Sequence, residues 1–370
     1  MAEALKEMYH PEFLQGFGEK VKRVYPAFDG NRFLAQIMDA SWEELALKGR
    51  MRRISEALGV NLPDSYEEAV HILFQIDEEC VGFPYLFFPD FVEVHGQAAQ
   101  DWDLSMNALE RFTQRSSAEF AVRAFIMSDP ERMMKQMLDW AVHPSEHVRR
   151  LASEGCRPRL PWGQALTMFK KDPAPVLEVL ELLKEDPSLY VRKSVANNLN
   201  DIAKDHPDVV IGLAKRWIGV HPHTDWIVRH ACRTLIRKAD PEVLGLFGYA
   251  KDEGETPLVS EAALKIEPAS VSIGGRSELV YDVQIRGGES VRVRIEYGID
   301  FIKANGRTSR KLFLLSDKTV PGGSRLQGTR AHSWADLTTR KHYPGEHRIV
   351  LVVNGQVAAE TAIRVEAEGR

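Results

Sequence analysis

Carboxylates set one helical turn from basic residues recur along the helical part of this 370-residue chain. In HPSEHVRRLASEG (143–155), burying Val148, Leu151, Ala152 and Gly155 puts Arg150 and Glu154 together on the opposite, polar side. In VRKSVANNLNDIA (191–203), burying Val191, Val195 and Asn198 leaves Lys193, Asn197 and Asp201 as a stripe at i, i+4 and i+8. Around SSAEFAVRAFI (116–126), Arg115, Glu119 and Arg123 form a comparable stripe. Carboxylates can stabilise positive charge or move a proton, and arginines can grip anions. Alternating charges on a helix usually serve only solvent-facing ion pairs. Here the acids fall toward the C-terminal halves of successive helices, so stacking would bring them to one side. Directly after the first comes CRPRLPWGQ (156–164), where Pro158 and Pro161 stiffen a loop bearing Arg157, Arg159 and Trp162. A Trp in such a loop is either a core residue or an aromatic face held beside the charges.

The elements that must position these groups are helices as far as about Tyr249. SWEELALKGRMRRISEALG (41–59), SYEEAVHILFQI (65–76) and APVLEVLELLKE (174–185) space apolar residues by three and four. Asp186-Pro187-Ser188 and Asp205-His206-Pro207-Asp208 read as breaks before new helices. A Val-Arg core recurs at Val122, Val148, Val191 and Val228, inside 116–126, HPSEHVRRLASEG, DPSLYVRKSVANNL (186–199) and HTDWIVRHACRTL (223–235). The later spacings suit HEAT or armadillo-type repeats, whose helix pairs stack into a curved array with one concave surface.

Past Lys251 the period changes. DEGETP (252–257) reads as part of a linker (251–257), and beyond it Leu279, Tyr281, Val283 and Ile285 alternate with polar residues, as do Val291, Val293, Ile295 and Tyr297. Gly287-Gly288 and Asn354-Gly355 suit tight hairpins. About seven short strands are expected, and they point to an immunoglobulin-like β-sandwich with no cysteine to bridge its sheets. The expected organisation is multidomain: an all-α helical repeat solenoid over 1–250, the linker, then an all-β sandwich over 258–370.

The net charge of −5 hides an asymmetry. Between His143 and Lys238 stand sixteen Lys and Arg against eleven Asp and Glu, and between Pro257 and Arg370 seventeen against thirteen. The first part of the chain is therefore acidic and the later parts basic, a pattern compatible with an anionic partner. Cys80, Cys156 and Cys232 are scattered with no CxxC or Cys/His spacing, which argues against zinc and for buried thiols in a reducing cytosol. MAEALKEMYH lacks the apolar stretch of a secretory signal, and no run of eighteen apolar residues suggests a membrane span. Without GxxxxGK[ST], GxGxxG or the HxE…PCxxC signature, nucleotide-driven, dinucleotide-dependent and zinc deaminase enzymes are disfavoured. A non-catalytic repeat scaffold for protein or nucleic acid remains the alternative to an enzyme.

LASEGCRPRLPWG (151–163), VRKSVANNLNDIAKDHPD (191–208) and SSAEFAVRAFI together resemble the AlkC family of HEAT-like-repeat DNA glycosylases, relatives of AlkD. IEYGIDFIKANGRTSRKLF (295–313) and DLTTRKHYPGEHR (336–348) are similar to the Ig-like domain that some members carry. The resemblance covers nearly the whole chain. It implies hydrolysis of the N-glycosidic bond of cationic alkylated bases in duplex DNA, without base flipping and without cofactor, metal or membrane partner. It further implies that Asp201 positions or activates water, while Glu154 and Glu119 stabilise cationic charge. Trp162 would then face the sugar or the charged base, a contact worth roughly 0.5–2 kcal/mol. Phosphate contacts are expected from Arg150, Arg157, Arg159, Arg192 and Lys193. The Ig-like domain would add Lys303 and Arg307 in KANGRTSRK, and Arg340 and Lys341 in TTRKH. Lys193 is near enough by phase for lyase chemistry, but nothing else favours it, and a monofunctional enzyme is expected.

Overall fold

The computed structural model describes residues 5–251, 256–337 and 340–367. Two compact units divide the chain, Met1–Ala231 and Cys232–Arg370. Most of the expected linker, 252–255, lies outside the described residues. The unit boundary falls ahead of that linker, so the short helices Arg233–Arg237 and Pro241–Leu246 belong to the second unit.

The first unit is helical, as the three- and four-residue spacing requires. Several of its helices start where the sequence supplies a capping side chain. Asp129 accepts from the Arg132 amide ahead of Pro130–Ala141, and Ser188 accepts from the Tyr190 amide ahead of Leu189–Ile202. Pro130 and Pro207 stand in first turns, where a missing N–H costs nothing. Three helices, Glu146–Gly155, Leu189–Ile202 and Pro222–Ala231, pack one against the next as the inner row of the array. Pro130–Ala141 and Pro207–Trp217 pack against members of that row.

The recurring Val-Arg pair has a plain physical basis. Val148, Val191 and Val228 are buried, each withdrawing apolar surface worth about 1.5–3 kcal/mol. After Val148 and Val191 the following Arg turns back on the loop that opens its own helix. Arg149 Nη1 donates to the His143 and Pro144 carbonyls at 2.9 and 2.8 Å, and Arg192 Nη1 to those of Asp186 and Pro187, both at 2.7 Å. Arg149 Nε also reaches Asp186 Oδ2 at 2.6 Å, tying one repeat to the next. In these two repeats the pair is a latch, and it occupies Arg192, which was expected to contact phosphate.

Among the described residues the second unit holds eight strands rather than about seven: β1 (Val259–Glu267), β2 (Ser270–Ser272), β3 (Arg276–Ile285), β4 (Val291–Ile302), β5 (Thr308–Val320), β6 (Arg325–Ser333), β7 (Gly345–Val353) and β8 (Gln356–Glu366). They form two sheets ordered β1-β3-β6 and β2-β8-β7-β4-β5. Leu279, Val283, Ile295, Ile299, Trp334, Ile349 and Leu351 fill the space between them. Asn354 (φ 45°) and Gly355 (φ 86°) turn the β7–β8 hairpin as their residue types require. Gly287-Gly288 makes no hairpin. The chain leaves β3 in one sheet and enters β4 in the other, so the freedom at Gly288 (φ 121°) serves a crossing between sheets.

Candidate active site

Glu154 sits in the last turn of Glu146–Gly155, and Asp201 near the end of the neighbouring Leu189–Ile202. Because both inner helices run to the same end of the stack, the two acids arrive side by side. Periodicity put both on polar faces, yet Glu154 is only 6% exposed and Asp201 2%. The faces are polar, but the neighbouring helix and the 156–164 loop cover them.

Arg157, the second residue of that loop, lies between the two acids. Its Nη1 donates to Glu154 Oε1 at 2.6 Å, while Nε and Nη2 reach Asp201 Oδ2 at 2.9 and 2.8 Å. Burial alone would lower its pKa, but Glu154 and Asp201 more than offset that and hold it above the ordinary value. The guanidinium, expected at phosphate, is occupied here by the two carboxylates, which it bridges. The remaining acid oxygens have partners too. Ser194 Oγ donates to Glu154 Oε2 at 2.6 Å, and Lys204 Nζ to Asp201 Oδ1 at 2.9 Å.

Glu119 joins from a different element than expected. The helix before it ends at Thr113 and the next begins at Val122, so Glu119 stands in the turn between them. The stripe of Arg115, Glu119 and Arg123 therefore does not exist as one helical face. Glu119 nevertheless reaches the cluster, since Arg150 Nη1 and Ser117 Oγ both donate to its Oε2, the latter at 2.7 Å. Arg150 Nη2 lies 3.6 Å from Glu154 Oε1, and its guanidinium sits 5.0 Å over the Tyr190 ring. Three carboxylates and two arginines thus alternate across two helices, the 156–164 loop and the turn that carries Glu119. Beside Glu119 a cleft of about 300 Å³ is lined by Phe83, Arg115, Phe120, Arg150 and Tyr190.

Trp162 is not a core residue. It is 57% exposed on the loop after Arg157, and its φ of 62° is a conformation L side chains seldom take. Its carbonyl accepts from Lys48 Nζ at 3.3 Å. Arg159 pairs with Asp205 at 2.6 Å, and Lys193 is exposed on the inner helix. Lys303, Arg307 and Lys341 are exposed on the second unit, whereas Arg340 is half-buried with its guanidinium 4.5 Å over Phe301. Thr338 and Thr339 of the expected TTRKH stretch lie outside the described residues. Cys156 packs beneath the site, its thiol pushed up to about 12 by burial, which suits a packing role and not a nucleophile. Among the described residues no group of His, Cys, Asp and Glu is placed to hold a metal ion, and no helix is long and apolar enough to cross a membrane.

Sequence reasoning missed Ser194, Lys204, Lys48, Tyr190 and the true position of Arg123. Only Lys204 carried a local signal, standing one helical turn after Asp201.

The chain has known relatives. Residues 94–235 match the family described as DNA alkylation repair enzyme, and 260–367 the family described as the C-terminal Ig-like domain of the uncharacterised protein YhaZ. Over 353 residues the chain is 46% identical to the uncharacterized protein YhaZ of Bacillus subtilis, covering 95% of this chain and 97% of that one. It is also similar to the Pseudomonas fluorescens alkylpurine DNA glycosylase AlkC, solved bound to DNA containing an abasic site analog. That likeness has 38% identity and a TM-score of 0.92, and covers 98% of this chain and 99% of the other. The chain belongs to the AlkC-type family. It has that family's two parts, a helical repeat unit and an Ig-like unit, and the acid–arginine cluster lies within the stretch that matches the repair-enzyme family.

Proposed function

We propose that this protein is a monofunctional DNA glycosylase that removes cationic alkylated bases from duplex DNA. N3-methyladenine is the first candidate substrate, with N3-methylcytosine and N1-methyladenine as further ones. The observation that carries the reading is the meeting of Glu154 and Asp201 around Arg157, with Glu119 joined through Arg150. Resemblance to the AlkC glycosylase over nearly the whole chain supports it.

The chemistry suits this substrate class. Methylation leaves positive charge on the base, so it departs without a proton from a general acid. What remains is to stabilise the sugar cation as the glycosidic bond breaks and to deliver water to it. Preorganised carboxylates do the first at no reorganisation cost, as in glycoside hydrolysis. Asp201 takes the role of positioning or activating water, Glu154 and Glu119 that of stabilising cationic charge. The exposed ring of Trp162 offers a π-face to the sugar or the charged base. A shallow cleft and an exposed aromatic fit recognition of the lesion with the base left in the stack. On the helical unit Lys193 is the exposed candidate for backbone phosphates, while Arg150 and Arg159 would have to share their guanidinia with Glu119 and Asp205.

The deciding experiment incubates the purified protein with methylated duplex DNA and identifies the bases released. Release of N3-methyladenine is expected; release of none would overturn the reading and leave a non-catalytic DNA-binding array.

A further inference from the structure

Arg123 is one of the largest fully buried side chains, 1% exposed on the helix Val122–Ser128. Among the described residues it pairs with no carboxylate. Its donors go to backbone carbonyls instead. Nη1 reaches those of Gly155 and Arg157, both at 2.9 Å, while Nε reaches that of Gln164 at 2.6 Å and Nη2 donates to the same oxygen. These three carbonyls bracket the loop that carries Arg157 and Trp162. Gly155 closes the helix bearing Glu154, and Gln164 follows Trp162 by two residues. An unpaired buried charge is costly, and its pKa is lowered to about 10 by burial, so the arrangement persists only because the carbonyl dipoles compensate it.

A second cation holds the same loop at Trp162. Lys48, on Leu47–Asn61, donates to the Trp162 carbonyl and lies 4.8 Å over the Phe120 ring. Trp162 itself has left-handed backbone, which an unrestrained loop would relax. We infer that Arg123 and Lys48 are positioning residues that clamp the 155–164 loop, fixing Trp162 and the Arg157 bridge before DNA arrives. The inference deepens the glycosylase reading and rests on it for its kinetic consequence. Such a clamp acts through geometry, so its loss lowers the rate of the bound complex more than the affinity.

The test uses the full chain with Lys48→Met, which alters an exposed side chain, and Arg123→Lys, which keeps charge but loses the fork of donors. Single-turnover base release, DNA affinity and amide exchange at Gly163 and Leu166 are measured for each. Those two amides bond within the loop, to the Leu160 and Pro158 carbonyls. Both variants are expected to exchange faster at these amides and to release base about tenfold more slowly, with affinity within about twofold of the parent. Wild-type exchange in both variants overturns the clamp, whatever the activity. A rate loss that follows a matching loss of affinity overturns it as well, since Lys48 would then be a DNA contact. If the unaltered protein releases no base, the glycosylase reading fails, and the exchange measurement still decides whether the clamp exists.

Discussion

Arg157 holds Asp201 by one oxygen. Nε and Nη2 both reach Oδ2, at 2.9 and 2.8 Å, and leave Oδ1 to Lys204 at 2.9 Å. Lys204 is the more exposed of these two partners, so Oδ1 is the side from which water can be engaged with the least disturbance. The carboxylate is thus fixed in direction without being wholly committed to the protein.

Replacing it with an amide tests that relationship. Asp201→Asn keeps the shape but removes the negative charge, and base release should fall by roughly a hundredfold or more, as for loss of a preorganised electrostatic group. DNA affinity should stay nearly intact. Because Arg157 then keeps only Glu154 as an anionic partner, thermal stability should also drop. Full activity in this variant would falsify the assignment.

Trp162 offers a separation of stability from activity. Its φ of 62° disfavours any side chain, whereas glycine takes it without strain. Trp162→Gly should therefore melt at or above the parent temperature while losing roughly tenfold in single-turnover rate, the size of one cation–π contact. Thermal melts paired with base-release assays check this. A drop in stability together with unchanged rate would mean that the ring packs and does not act.

The reach of the Ig-like unit is legible in salt dependence. Lys303 and Arg307 are exposed in the turn between β4 and β5. If both meet phosphates, the double change to alanine should reduce the slope of log affinity against log salt by roughly 1.8, two counterion equivalents. An unaltered slope in titrations from low to moderate salt would make them solubilising charges.

Why some of this could be read in the sequence and some could not comes down to range. The Val148-Arg149 and Val191-Arg192 pairs and the alternation in β3 are local patterns, and each stands where a short-range rule puts it. Glu154 and Asp201 were reached by phase, but their burial was not, since the covering loop begins where the helix that phase describes ends. Glu119 was misplaced because the phase argument carries a helix through residues 114–121, where the chain turns. Arg123 was the largest miss. Arginine in a charged stripe reads as solvated, and what buries it are carbonyls 32 to 41 residues away in sequence. Gly287-Gly288 shows the same limit, for a glycine pair permits a reversal without saying which sheet comes next.

The Ig-like unit should also be acid-sensitive. His332 is 6% exposed against Tyr297, Phe313 and Trp334, with Nδ1 3.0 Å from the Tyr297 hydroxyl. Burial first, then the nearby Arg340 and His342, lower its pKa to about 4 from an ordinary 6.5. The depressed value means the folded ring stays neutral where the unfolded one takes a proton. Its contribution is therefore complete above about pH 6.5 and is lost progressively as pH falls toward 4, by about 3 kcal/mol in all. His342, lowered chiefly by burial, acts in the same direction, moderated by Asp336. Amide exchange in β3 and β6 of the full-length protein should accelerate through this window. In His332→Phe the acceleration should be weaker, because the group that must stay neutral is gone. Equal pH dependence in parent and variant would assign the acid sensitivity to other residues.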